Sequence, residues 1–263
     1  MEVHHHPHVE KKSFKEYLLE GLMIFVAVTM GYIAENVREN ITDNHKEREY
    51  MISMLSDLEK DTLSLDQAVA INKLLILGTD STINYLSRAS NNEENAKLGL
   101  MYFFKYCQNV RAFLSADGTI TQLKNNGGLQ LIKDKEVINK INIYYRDNLR
   151  LQGTENSVRE FSNTNNKKAG EVFNYMSNKN LIDSANLCKE YNYDLPLSRL
   201  QSWAKSSGPI LLTKDAKVLS PFLNNLNATM GFMIGYSGTM ESQKQSAKDL
   251  IKTIKENYSI KNE

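Results

Sequence analysis

The chain has 263 residues, 32 basic against 31 acidic side chains, a formal net charge of +1 and only 4 prolines. That charge balance excludes a global electrostatic case for nucleic-acid binding. Few breakers and little strict apolar alternation predict helix nearly throughout, an all-α fold with room for one sizeable helical domain or two small ones.

Residues 1–16, MEVHHHPHVEKKSFKE, form a polar leader with four of the five histidines, His4, His5, His6 and His8. Neutral imidazoles at this density can capture a divalent metal. The plainer reading is a polar leader or a tag remnant, although a tag usually runs to six histidines without a proline.

Residues 17–37, YLLEGLMIFVAVTMGYIAENV, are the part of the chain built for lipid. Gly21 to Ala34 are 14 uncharged positions in a row, short for a span. Counted out to Tyr17 and Val37, the segment reaches roughly 30 Å at about 1.5 Å per residue, the thickness of the hydrocarbon core. Glu20 and Glu35 then sit near the two boundaries, where tilt or local thinning keeps them by the headgroups. A buried soluble helix and a cleavable signal peptide are the alternatives. Against the second, Glu16 and Glu20 spoil a basic n-region and no clean A-x-A site follows. Lysine and arginine counts on the two flanks nearly tie. The asymmetry of length therefore sets the expected orientation, with a cytoplasmic leader, a transmembrane helix at 17–37 and an exported periplasmic domain at 38–263. At about 100° per residue, Glu20, Ile24, Ala27, Gly31, Ala34 and Glu35 share one face, opposite Leu22, Phe25, Val26, Thr29, Tyr32 and Ile33. Small residues at four-residue spacing let helix backbones approach closely, so this face is expected to pack on a second copy or on a partner's helix.

After the anchor about 40 residues pass without proline or glycine, and Val37, Ile41, Met51, Met54, Leu55, Leu58, Leu65 and Val69 fall largely at helical spacings. A long amphipathic helix is predicted, too polar for a core up to about Arg48. Gly78 and Ser90 to Asn95 mark the next breaks, and Ala96 to Leu114 reads as a buried helix.

Two stretches resemble each other. KNNGGLQLIKDKEVI at 124–138 and KSSGPILLTKDAKVL at 205–219 share six of 15 positions. Each fits a helix end, a glycine free to take positive φ (Gly127, Gly208), an apolar plug, and an acid (Asp134, Asp215) in the next helix's first turn. In the first copy Gly128 follows the cap. Neither copy has a phosphate-loop or dinucleotide fingerprint, so the pair reads as two related helical hairpins.

Together with the histidine-rich opening, Gly31, Tyr32, Ile33, Ala34 and Glu35 at the anchor's end and Leu123, Lys124, Gly127, Gly128, Leu129, Leu131 and Ile132 resemble a family of uncharacterised single-span envelope proteins of Bacteroidota. The resemblance covers about the first 150 residues. It implies an inner-membrane anchor with an exported helical domain, and it carries no catalytic residue over.

Further on, helix is expected from Ile143 through Leu149, with a loosely polar patch at Ser162 to Lys168. An aromatic cluster at Tyr191, Tyr193 and Trp203, around Pro196, is read as core. An apolar helix from Pro221 is expected to break between Gly235 and Gly238 before a polar closing helix. Cys107 and Cys188 are expected as free thiols, although an oxidising compartment permits a bridge.

No histidine follows His45, which removes Ser-His-Asp and Cys-His catalysis and histidine metal sites from the exported domain on its own. The leading expectation is a non-enzymatic, single-pass inner-membrane scaffold or accessory subunit of an envelope complex, without a cofactor unless the leader binds metal. The alternatives are a ligand-sensing helical domain coupled to the membrane helix, which requires a closed pocket among the hairpins, and an ion-coupled, stator-like subunit using Glu20.

Overall fold

A computed structural model describes residues 13–191, 193, 197–202 and 204–260. Helices are α1 (Phe14–Ser87), α2 (Glu93–Tyr102), α3 (Gly118–Asn125), α4 (Lys135–Val172), α5 (Lys179–Tyr191), α6 (Leu197–Gln201) and α7 (Ala216–Asn257). The fold is all-α. Among the described residues the only β pairing is an isolated antiparallel bridge between Phe173 and Leu211.

The chain divides into two units, Met1–Tyr50 and Met51–Glu263. In the first, the described residues are almost entirely helix α1, and its large apolar side chains from Phe14 to Ile41 are exposed. In the second, α1 from Met51 onward, α4 and α7 form a three-helix core. Lys255 pairs with Glu59, Lys244 with Asp66, and Asn72 donates to the Met233 carbonyl, so α7 runs antiparallel to this part of α1. Lys140 meets Thr253 and Asn165 meets Thr229, so α7 is antiparallel to α4 as well. Met51, Met54, Leu58, Leu65 and Leu75 bury the α1 stripe, and each fully buried side chain of this size contributes roughly 1.5–3 kcal/mol.

Helix α1 passes Gly78 without a break. A Cβ there would overlap the Tyr106 side chain, so this glycine serves close approach rather than termination. The expected helix from Ala96 to Leu114 is shorter than its apolar content suggested. Asn92 caps α2 by accepting from the Asn95 amide, and the helix then widens into a π turn at Phe103–Cys107 and ends. Helix α7 begins before Pro221, capped by Asp215, and runs unbroken through Gly235 and Gly238 to Asn257. Tyr236 and Met240, both fully buried, hold that stretch against the core, and their packing outweighs the glycines' weak helix propensity of about 1 kcal/mol each.

The two similar stretches share only half of the expected device. Asp134 accepts from the Glu136 and Val137 amides and Asp215 from the Lys217 amide, so both acids are N-caps. Gly127 takes a left-handed conformation at φ 67°, next to the end of α3, and the buried Gly128 opens a 3-10 turn. Among the described glycines no other has positive φ. Gly208 follows no helix end; its missing side chain instead admits Ser177, whose Cβ would lie 2.8 Å from an added Cβ. The second copy is therefore an extended segment, with the Leu212 amide donating to the Val172 carbonyl and the Asn174 amide to the Ile210 carbonyl.

Candidate functional site

The segment 108–117 leaves the π turn and crosses the core without regular structure, so its backbone groups need partners from elsewhere. Polar side chains of all three long helices supply them. On α1, Asp61 accepts from the Ala116 amide at 2.6 Å, the Ser115 hydroxyl at 3.0 Å and the Tyr144 hydroxyl at 2.7 Å. One turn earlier, Asp57 accepts from the amide and hydroxyl of Thr119, capping the start of α3. On α4, Ser162 donates to the Cys107 carbonyl and Asn166 to the Gln108 carbonyl. Asn148 donates to Ser115, and Gln243 on α7 donates to Asn148 and to the Tyr144 carbonyl.

Burial raises the Asp61 carboxyl above the usual range, against the lowering effect of its hydrogen bonds. Burial and the Asp61 charge together push the Tyr144 phenol up. These groups face one another in a hydrogen-bonded network that ties the segment 108–117 to α1, α4 and α7. From the polar patch at Ser162 to Lys168, Ser162 and Asn165 are buried: Asn165 is 0% exposed, donates to Thr229 and accepts from Asn225.

Beside this loop lies a cleft of about 400 Å³. Phe104 from the π turn, and Tyr175 and Met176 from the α4–α5 connection, form one part of its wall. Gln108, Asn166, Lys179 and Ile182 complete the lining. The Phe104 and Tyr175 rings meet edge to face, with centroids 5.4 Å apart. Burial pushes the Tyr175 phenol up to about 12, so it stays neutral. Met176 is 92% exposed at the rim. The Asn166 Oδ1 is buried without a hydrogen-bond partner, while its Nδ2 is taken by Gln108. In the same π turn, Lys105 is 1% exposed with its Nζ 4.7 Å from the Tyr106 ring centre, and Cys107 is a free thiol hydrogen-bonded to Thr82. Burial raises that thiol to about 11, which leaves it unreactive.

The residues expected to pack in the membrane, Glu20, Ile24, Ala27, Gly31, Ala34 and Glu35, all lie on α1, and Gly31 has nothing within 4 Å of an added Cβ. Glu35 pairs with Arg38 one turn on. His4, His5, His6 and His8 lie outside the described residues, as do Pro196, Trp203 and the side chains of Tyr191 and Cys188. Among the described residues, no group of three or more His, Cys, Asp or Glu could hold a metal ion. Tyr193, from the expected aromatic cluster, is half-buried, and its carbonyl accepts from the Tyr106 hydroxyl.

The cleft was not foreseen from sequence. Its residues come from three separated stretches, 104–108, Asn166 and 175–182, and the one local signal was the pair Phe103-Phe104 where the apolar helix is interrupted.

No protein family, curated protein or solved structure matches the chain. The fold and the exposed stretch define an all-α protein with, among the described residues, one helix long and apolar enough to cross a membrane.

Proposed function

We propose that the chain is a single-pass protein of a bacterial inner membrane, anchored at 17–37, with its helical domain on the periplasmic side. Its role in this reading is non-enzymatic: a scaffold or accessory subunit of an envelope complex whose helical domain and anchor contact protein partners. One observation carries the anchor. The apolar window of α1 has mean hydropathy 1.7 and none of it is buried by the rest of the chain. A core helix of that composition would be covered by its own fold, and an uncovered stretch this long exceeds the apolar patches that soluble monomers expose. The domain beyond Met51 has its own buried core. Purification of the full chain from native membranes in mild detergent tests the role: a stoichiometric partner or second copy is expected, and a chain that elutes alone at every detergent concentration contradicts it. A ligand-sensing role is the second reading, and the cleft beside Phe104 favours it.

A further inference from the structure

We propose that the cleft between the π turn, α4 and the start of α5 is a binding site for a small aromatic carboxylic acid carrying an N–H donor. The proposal does not depend on the membrane anchor, since every lining residue belongs to the unit Met51–Glu263. Three features of the site select three features of the ligand.

Its volume of about 400 Å³ falls within the range of small-molecule pockets, roughly 300–1,000 Å³. Phe104 and Tyr175 stand edge to face at 74°, which leaves ring surface for a third aromatic group, and the thioether of Met176 and the side chain of Ile182 extend that apolar wall. The body of the ligand is therefore flat and apolar. The Asn166 Oδ1 is a buried acceptor with no donor. Its amide cannot turn to hide the oxygen without giving up the bond from Nδ2 to the Gln108 carbonyl, so a ligand N–H satisfies a group that the fold leaves unpaired. Finally, Lys179, the first residue of α5, lines the cleft and gives it a cationic side chain. Lys179 makes no ion pair among the described residues, and none of the lining residues is acidic. An anion is the complement. The aromatic wall, rather than a fan of cationic donors, makes it a carboxylate on a ring-bearing molecule instead of a free phosphate.

Indole-3-acetate combines the three features and serves as the probe, with indole-3-acetamide as its uncharged counterpart. At about 13 non-hydrogen atoms, ordinary ligand efficiency gives a dissociation constant on the order of 1 mM, suited to ligand-observed NMR. The measurement uses the full chain in lipid nanodiscs, with empty nanodiscs as the blank. Saturable binding of both probes to the loaded discs is expected. Lys179→Glu, an exposed change, should weaken the acid by about fivefold or more and leave the amide within about twofold. Ile182→Trp, which fills the cleft, should remove both. No saturable binding above the blank, acid binding unchanged by Lys179→Glu, or equal weakening of acid and amide by that variant would each overturn the proposal. So would an Ile182→Trp protein that melts like the wild type and still binds. If Ile182→Trp does not fold, the acid and amide comparison on Lys179→Glu decides alone.

Discussion

Replacing Asp61 with alanine tests the idea that the irregular segment after the π turn is held by α1. The change removes the acceptor of one buried donor, the Tyr144 hydroxyl, and of two half-buried ones, the Ala116 amide and the Ser115 hydroxyl. A buried donor left without a partner costs about 1–3 kcal/mol, and the two hydroxyls can rotate to recover part of it. Loss of the buried charge offsets some of the rest, because burial already raises the Asp61 carboxyl and so marks its ionised form as costly. The net expectation is about 2 kcal/mol of lost stability, a sizeable share of the roughly 5–15 kcal/mol of a domain. Asp61→Asn keeps an oxygen for Ala116 and presents an NH2 to two hydroxyls that can also accept, so it should stay within about 1 kcal/mol of wild type.

The pH dependence has a definite sign. A carboxyl whose folded pKa is raised binds its proton more tightly when folded, so the wild type gains stability over Asp61→Asn as pH falls from neutral through that raised value. Urea unfolding followed by far-UV circular dichroism, at neutral and mildly acidic pH, reads both effects. An Asp61→Ala protein within about 0.5 kcal/mol of wild type would refute the reasoning. So would a wild type that loses ground to Asp61→Asn on acidification.

Three other expectations follow from particular contacts. Gly208→Ala should destabilise the domain by about 1–3 kcal/mol, and adding Ser177→Gly should recover part of the loss, because the new Cβ meets the Ser177 side chain; urea midpoints of the single and double variants decide this. Cys107 should resist alkylation in the folded protein and react once the chain is unfolded, since burial holds its thiol at about 11; mass-spectrometric counting at that cysteine before and after denaturation reads it. Gly31→Leu should weaken association of the chain in membranes far more than Phe25→Leu, because the open backbone at Gly31 lies on the proposed packing face; equal crosslinking of the two variants would contradict this.

The helical class was legible because 3.6-residue periodicity over long stretches such as Met51 to Val69 is a strong local signal. Asp134 and Asp215, expected in the first turn of the next helix, stand one residue earlier as its N-caps, a role that shows only once the side chain is seen to accept from the first-turn amides. Glycine misled in both directions. Gly78, Gly235 and Gly238 read as breaks, yet tertiary packing carries the helices through them. Gly127 and Gly208 looked equivalent but serve different constraints, a positive φ in one case and a neighbour's approach in the other. The buried role of Ser162 and Asn165 in the polar patch of α4 was not legible because their partners are a loop and another helix, more than 50 residues away in sequence. The cleft was hidden for a related reason: its polar feature is a single unpaired oxygen, and only the folded chain shows that Asn166 lacks a donor there.

The most direct test of the account is the placement of the two ends across the membrane. Cells carrying the full chain with one epitope ahead of Phe14 and another at the C-terminus are converted to spheroplasts, treated with protease, and the membranes are then washed at alkaline pH. The account predicts that the C-terminal epitope is digested, that the N-terminal epitope is protected, and that the protected fragment stays with the lipid. Release of the intact chain by the alkaline wash, or protection of the C-terminal epitope with loss of the N-terminal one, would contradict it.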